Sequence, residues 1–108
     1  MNNNNTTITP ISEVQGRGLW SELAGQVATV QGVVTGVVRH GFFIQEPESS
    51  PDPLVSDAVF VFSPKWRAPE GALLRVSGKV VDFVKQENGK PVTQIKLADM
   101  RLLKQQKL

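Results

Sequence analysis

The chain has no cysteine among its 108 residues. That excludes disulfides, a thiolate zinc site and a thiol nucleophile. It does not fix the compartment, because cysteine-free chains occur both in secreted and in cytosolic proteins. Histidine is scarce as well, with His40 alone. No apolar run approaches the roughly 18 residues that a membrane helix needs, so no membrane partner is expected. Met1 is followed by four asparagines and two threonines, without the basic start or apolar core of a signal peptide. A phosphate-cradling glycine loop and a dinucleotide fingerprint are both missing. Charge of one sign is in small excess only, 12 Lys plus Arg against 10 Asp plus Glu. A surplus of that size does not specify a nucleic-acid partner, and its distribution matters more than its sum.

The composition, 40% hydrophobic and 20% charged, fits one ordinary soluble domain with one core. Residues 1–8 are expected to be a disordered tail, or the sign of a piece cut from a longer protein, and residues 9–105 the domain. The acids gather between Glu46 and Asp57, and from Lys65 onward bases outnumber acids.

The hydrophobic pattern has period two, which predicts strands. Strands are expected over Gln26–Val38, Phe42–Glu46, Ala58–Phe62, Ala72–Val84 and Val92–Leu103. Gly32, Gly36 and Gly78 fall inside the long strands, where glycine marks a bulge or a tight bend. Arg39, His40 and Gly41 make the first turn. Asn88-Gly89 signals a hairpin between the last two strands. Ile11–Gly18 reads as a polar entry segment and Ser21–Ala24 as one helical turn, with Leu19, Trp20 and Leu23 as apolar anchors. Five strands, no long helix and a long curled first strand predict an all-β, five-stranded Greek-key OB-fold barrel with a short N-terminal helical turn. An SH3-like barrel or a small β-sandwich is the alternative.

Alternation within GFFIQE places Phe42 and Ile44 in the core and Phe43 and Gln45 outside. In the third strand Val59 and Val61 suit the interior, which turns Phe60 and Phe62 outward beside Phe43. The outer face of these strands is the usual OB-fold ligand surface, and aromatic rings there can stack bases. The opposite reading, with these phenylalanines in the core or covered by Trp20 and the N-terminal segment, is the plainer one, since aromatics in strands more often pack than present a platform. Arg39 and His40 in the first turn, and Lys85 and Lys90 beside the last hairpin, border such a cleft. Lys65-Trp66-Arg67 interleaves an aromatic with two cations, which suits phosphate-and-base contact; a solvated loop with Trp66 capping a barrel end is the plainer reading. Lys79 and Lys96 read as an exposed strand face.

Catalysis has little support. His40 has no partner carboxylate at a motif spacing, and Ser49, Ser50 and Ser56 lie in loops without a nucleophile motif. Glu46, Glu48, Asp52 and Asp57 match no cation-loop spacing, so a solvated acidic loop is expected and no metal or cofactor is assigned.

The segments ISEVQGRG (residues 11–18), VQGVVTG, GFFIQEP, SDAVFVF and TQIKL, with Ser21, Leu23, Gly25 and Val27, resemble in order and spacing an OB-fold module. This module is found near the N-terminus of secreted bacterial nucleases of the endonuclease/exonuclease/phosphatase type. The resemblance covers about residues 9–103. The family has a more glycine- or aspartate-rich turn where this chain has Arg39-His40-Gly41, and often proline where this chain has Glu22. It implies a non-catalytic, nucleic-acid-binding accessory domain, for DNA or RNA, single- or double-stranded, beside a catalytic nuclease domain in an extracellular or periplasmic protein. The alternative is a structural or protein-interaction barrel that positions the domains of a larger hydrolase. A weaker third is an oligosaccharide site in the same cleft.

Overall fold

A computed structural model describes residues 7–15, 21–46, 57–84 and 91–104. It contains a short helix α1 (Ile11–Gln15) and five strands, β1 (Val27–Val38), β2 (Gly41–Gln45), β3 (Ala58–Phe62), β4 (Leu73–Val84) and β5 (Pro91–Lys104). The strands close into a barrel in the order β1-β2-β3-β5-β4, with β4 pairing back onto β1. Every pairing is antiparallel except β3 with β5. That order, with a single parallel contact, is the five-stranded Greek key of the OB-fold. Closure leaves the central ladder without a free edge.

The β-branched residues that dominate these strands suit a pleated, half-buried surface. Alternate residues point inward and build one core: Val30 and Val34 from β1, Phe42 and Ile44 from β2, Val59 and Val61 from β3, Val76 and Val80 from β4, and Ile95 from β5. Each such side chain contributes roughly 1.5–3 kcal/mol by leaving water. The long strands can bend around this core because each is interrupted. The β1–β2 register slips between Val34 and Gly36, and the β4–β5 register slips at Ser77/Gly78. These two adjoin glycines where the sequence predicts a bulge, and a further β4–β5 slip falls at Leu73/Leu74. At Gly78 a Cβ would collide with the Lys96 carbonyl oxygen and come within 2.8 Å of Ile95 Cγ2. Only glycine lets β5 approach that closely.

The helical element is not where the sequence places it. The expected polar entry segment is helix α1, and the expected helical turn at Ser21–Ala24 is a tight hydrogen-bonded turn. In that turn the Ala24 amide donates to the Ser21 carbonyl at 3.3 Å and the Gln26 amide to the Leu23 carbonyl at 2.9 Å. The spacing of Ile11 and Val14 is i, i+3, one face of a helix, and both are fully buried in the core. Pro10 precedes the helix, where its missing N–H costs nothing. Long-range contacts secure both ends. The Glu46 carboxylate accepts from the Ile11 amide at 2.7 Å, and the Gln15 side chain donates to the Ala58 carbonyl. Glu46 therefore satisfies one of the orphan donors of α1. The helix covers the end of the barrel where β2 stops and β3 begins. Of the apolar anchors expected around the turn, Leu23 packs against the core, while Leu19 and Trp20 lie outside the described residues. The turn itself is tied down by Asp82, which accepts from the Ser21 amide at 2.8 Å and from the Thr93 hydroxyl at 2.6 Å.

Candidate functional site

The β2–β3 ladder decides which phenylalanines face out. Phe42 pairs with Val61 and Ile44 with Val59, and all four are buried. The residues between them must then point outward, and Phe43 stands directly opposite Phe60. Their ring centroids are 5.0 Å apart with planes tilted by 55°. Phe43 is 41% exposed, so one ring is offered to solvent while Phe60 is half-buried beside it. The backbone makes room for both. A Cβ on Gly36 would meet only Phe43 Cδ1, at 3.8 Å, whereas a Cβ on Gly41 would come within 2.7 Å of Phe60 Cζ. Phe60 therefore lies against the Gly41 backbone.

Register extends this face across the sheet. Phe60 pairs with Gln94 of β5, and Phe62 pairs with Lys96, which in turn pairs with Lys79 of β4. Two neighbouring rows result on the outer surface, Phe43–Phe60–Gln94 and Phe62–Lys96–Lys79. Aromatic faces border cations on one continuous surface, an arrangement that can stack planar groups and hold phosphates. Gln45 lies one row further along, opposite Val33 and Ala58, toward the end covered by α1. Arg39 and His40 are the exposed two-residue turn between Val38 and Gly41, at the Phe62 end of β3.

Lys65, Trp66 and Arg67 are exposed in the connection from β3 to β4. Trp66 is 49% exposed, while the buried residues of this connection are Ser63, Ala68 and Ala72. The Ser63 amide donates to the His40 carbonyl at 2.8 Å, and the Ser63 hydroxyl donates to the Trp66 carbonyl at 2.6 Å. These bonds hold the loop against the first turn. A cleft of about 240 Å³ opens there, lined by Phe62, Ser63, Lys65, Trp66, Lys96 and Leu97 among others.

No family model and no curated protein matches the chain. Among solved structures it is similar to a mitochondrial single-stranded DNA binding protein from S. cerevisiae, at 18% identity and a TM-score of 0.49, over 75% of this chain and 97% of that one. The OB-fold assignment rests on the strand order and register described above.

The structure thus brings together Phe43, Phe60, Phe62, Lys65 and Trp66 with the turn of Arg39 and His40. Gln45 sits apart, and Arg67 is exposed but does not line the cleft. Lys85 and Lys90 lie outside the described residues, as do Glu48 and Asp52 of the acidic loop. Glu46 of that loop is engaged with α1. Among the described residues no group of three or more His, Asp or Glu could hold a metal ion. Lys96 is exposed, as the sequence predicts, and Gln94, to which the sequence reading gives no role, stands beside it on β5. Alternation from Ile95 predicts that both face outward, but their neighbours follow from the parallel β3–β5 register, which no local pattern encodes.

Proposed function

We propose that this barrel is a non-catalytic nucleic-acid-binding module that lays an unpaired strand across the outer face of β2 and β3. The observation that carries this reading is the outward Phe43–Phe60 pair, half-open to solvent and bordered by Lys96 and Lys79. Stacking needs a free base face, so the aromatic pair favours single strands over duplex. Phosphate contacts supply a salt-dependent attraction, and stacking adds about 1–3 kcal/mol per base. Titration of labelled single-stranded DNA at about 50 and 200 mM salt tests the reading. Binding that weakens steeply with salt supports it, and no binding at low salt with high-micromolar protein overturns it.

The accessory role beside a catalytic nuclease domain, and the extracellular or periplasmic setting, are supported by the sequence resemblance over residues 9–103. Co-purification of this barrel with such a domain, and nuclease activity that falls when Phe43 is replaced, would support the pairing. A second reading is a protein-docking barrel. It is favoured by Val37 and Val38, which are 38% and 46% exposed at the end of β1 that runs beyond its pairing with β4. Under that reading, replacing Val37 and Val38 abolishes domain association while replacing Phe43 leaves it intact.

A further inference from the structure

The cleft beside Trp66 is distinct from the Phe43–Phe60 pair, and its chemistry is more specific. Phe62, Trp66 and Leu97 give it an apolar lining, Lys65 and Lys96 supply cations, and none of the described residues lining it is acidic. At about 240 Å³ it falls below the roughly 300–1,000 Å³ of pockets for drug-sized ligands. It suits one flat ring system. A bulge opens it: Ser77 pairs with Asp99 and Gly78 with Leu97, so Ala98 has no opposite residue and β5 bends there. The loop that presents Trp66 is already organised by Ser63, which bonds to the carbonyls of His40 and Trp66 and is 5% exposed. Little ordering is left for a ligand to impose. The cleft also continues the aromatic face, because Phe62 follows Phe60 by two residues on one strand, about 6.6 Å along the same side.

An apolar slot flanked by two cations and free of described carboxylates complements a planar group that carries a neighbouring negative charge. We propose that the cleft takes one unpaired nucleobase of the strand bound on Phe43 and Phe60, stacked on Trp66, with the adjoining phosphate between Lys65 and Lys96. This rests on the nucleic-acid reading above and names a subsite within it. The cleft then anchors one end of the strand, and the Phe43–Phe60 pair carries the bases next to it.

The sequence has two tryptophans, so Trp20→Phe leaves Trp66 as the sole indole reporter. That variant is titrated with oligothymidylates of about 4–16 nucleotides, the range of an OB-fold site. Trp66 fluorescence and the anisotropy of the labelled strand are followed together. The expected result is quenching that saturates with the anisotropy, and no quenching by a duplex of the same length. Trp66→Ala should weaken single-strand binding by about 5- to 150-fold, the value of one stacked base. Lys96→Gln should weaken it less and reduce its salt dependence. Binding without quenching, equal quenching by duplex, or a Trp66→Ala variant that binds as tightly as its parent each overturns the subsite and leaves the nucleic-acid reading standing. Absence of any anisotropy change at low salt overturns both. Should Trp20→Phe lose the circular dichroism of the folded chain, the Trp66→Ala and Lys96→Gln affinities, measured in the otherwise native chain, decide the matter alone.

Discussion

On the outer face of β1 and β4, polar side chains satisfy one another: Thr29 and Ser77 hydrogen-bond at 2.7 Å, and Arg75 donates to Gln31 at 2.9 Å. On the outer face of β2 and β3 the corresponding cross-strand pair is Phe43 with Phe60, and Phe62 follows. Both faces clothe the same barrel and cover the same apolar interior. Among the residues whose side chains are described, that β1–β4 face carries no aromatic ring, so this part of the fold does without one. Charge does not separate the two faces, because Arg75 and Arg101 pair on the β4–β5 surface much as Lys79 and Lys96 do. The difference lies in aromatic area beside cations. A cross-strand aromatic pair is also worth about 0.5–1.5 kcal/mol to the sheet itself, so a binding role and a packing role must be separated by measurement.

The largest expected effect is on the aromatic face. Replacing Phe43 and Phe60 together by alanine should reduce single-strand affinity by at least about 30-fold at low salt, from the loss of two stacked bases. Thr29→Ala with Ser77→Ala should change it by less than about twofold. Anisotropy titrations of both double variants give the ratio. Equal losses on the two faces would remove the distinction between them.

A steric test follows, aimed at what holds the rings in place. A Cβ on Gly41 would collide with the Val61 carbonyl oxygen and crowd Phe60, whereas on Gly36 it would only touch Phe43. Gly41→Ala should therefore destabilise by about 1–3 kcal/mol, in the range of other overpacked sites. Gly36→Ala should cost less than about 1 kcal/mol. Urea midpoints at constant slope measure both. A Gly41→Ala variant as stable as its parent would mean that Phe60 is free to move away, which a rigid stacking platform does not allow.

How much of this was legible in the sequence depends on the range of the interaction. Alternation is local, so Phe42 and Ile44 inside and Phe43 outside could be read along the chain, whereas the outward turn of Phe60 and Phe62 had a packing alternative that only the β2–β3 ladder removes. Strand limits agree to within a residue or so, because the glycines and turn residues that end strands are local too. The helix was misplaced because what stabilises it is distant: Glu46 is 35 residues from Ile11, and Ala58 is 43 from Gln15. Five residues of α-helix would be marginal without such partners. Lys96 reads as exposed from the sequence, but what it neighbours is hidden for the same reason. Its place opposite Phe62 follows from a parallel pairing between strands separated by all of β4.

A smaller effect is expected on the polar face. Thr29→Ala removes the partner of the half-buried Ser77 hydroxyl and should cost about 0.5–1.5 kcal/mol of stability, with single-strand affinity unchanged. Phe43→Ala should do the reverse, moving affinity more than stability. A double-mutant cycle across Thr29 and Ser77 isolates the pair from the rest of the ladder. Coupling near zero would mean that this face is merely solvated.

The smallest effect asks whether the lysines act with the rings. Each phosphate neutralised on a single strand contributes about 0.7 to the slope of log affinity against log salt. Lys79→Ala, in the row that runs from Phe62 through Lys96, should lower the magnitude of that slope by about 0.7. Arg101→Ala, opposite Arg75 and away from the Phe43–Phe60 pair, should leave it unchanged. The affinity change at one salt concentration will be only a few-fold, so the slope over a fourfold range of salt is the quantity to measure. If Arg101→Ala lowers the slope as much as Lys79→Ala, the strand follows the charge of the whole barrel and not the aromatic face, and the two faces differ in appearance only.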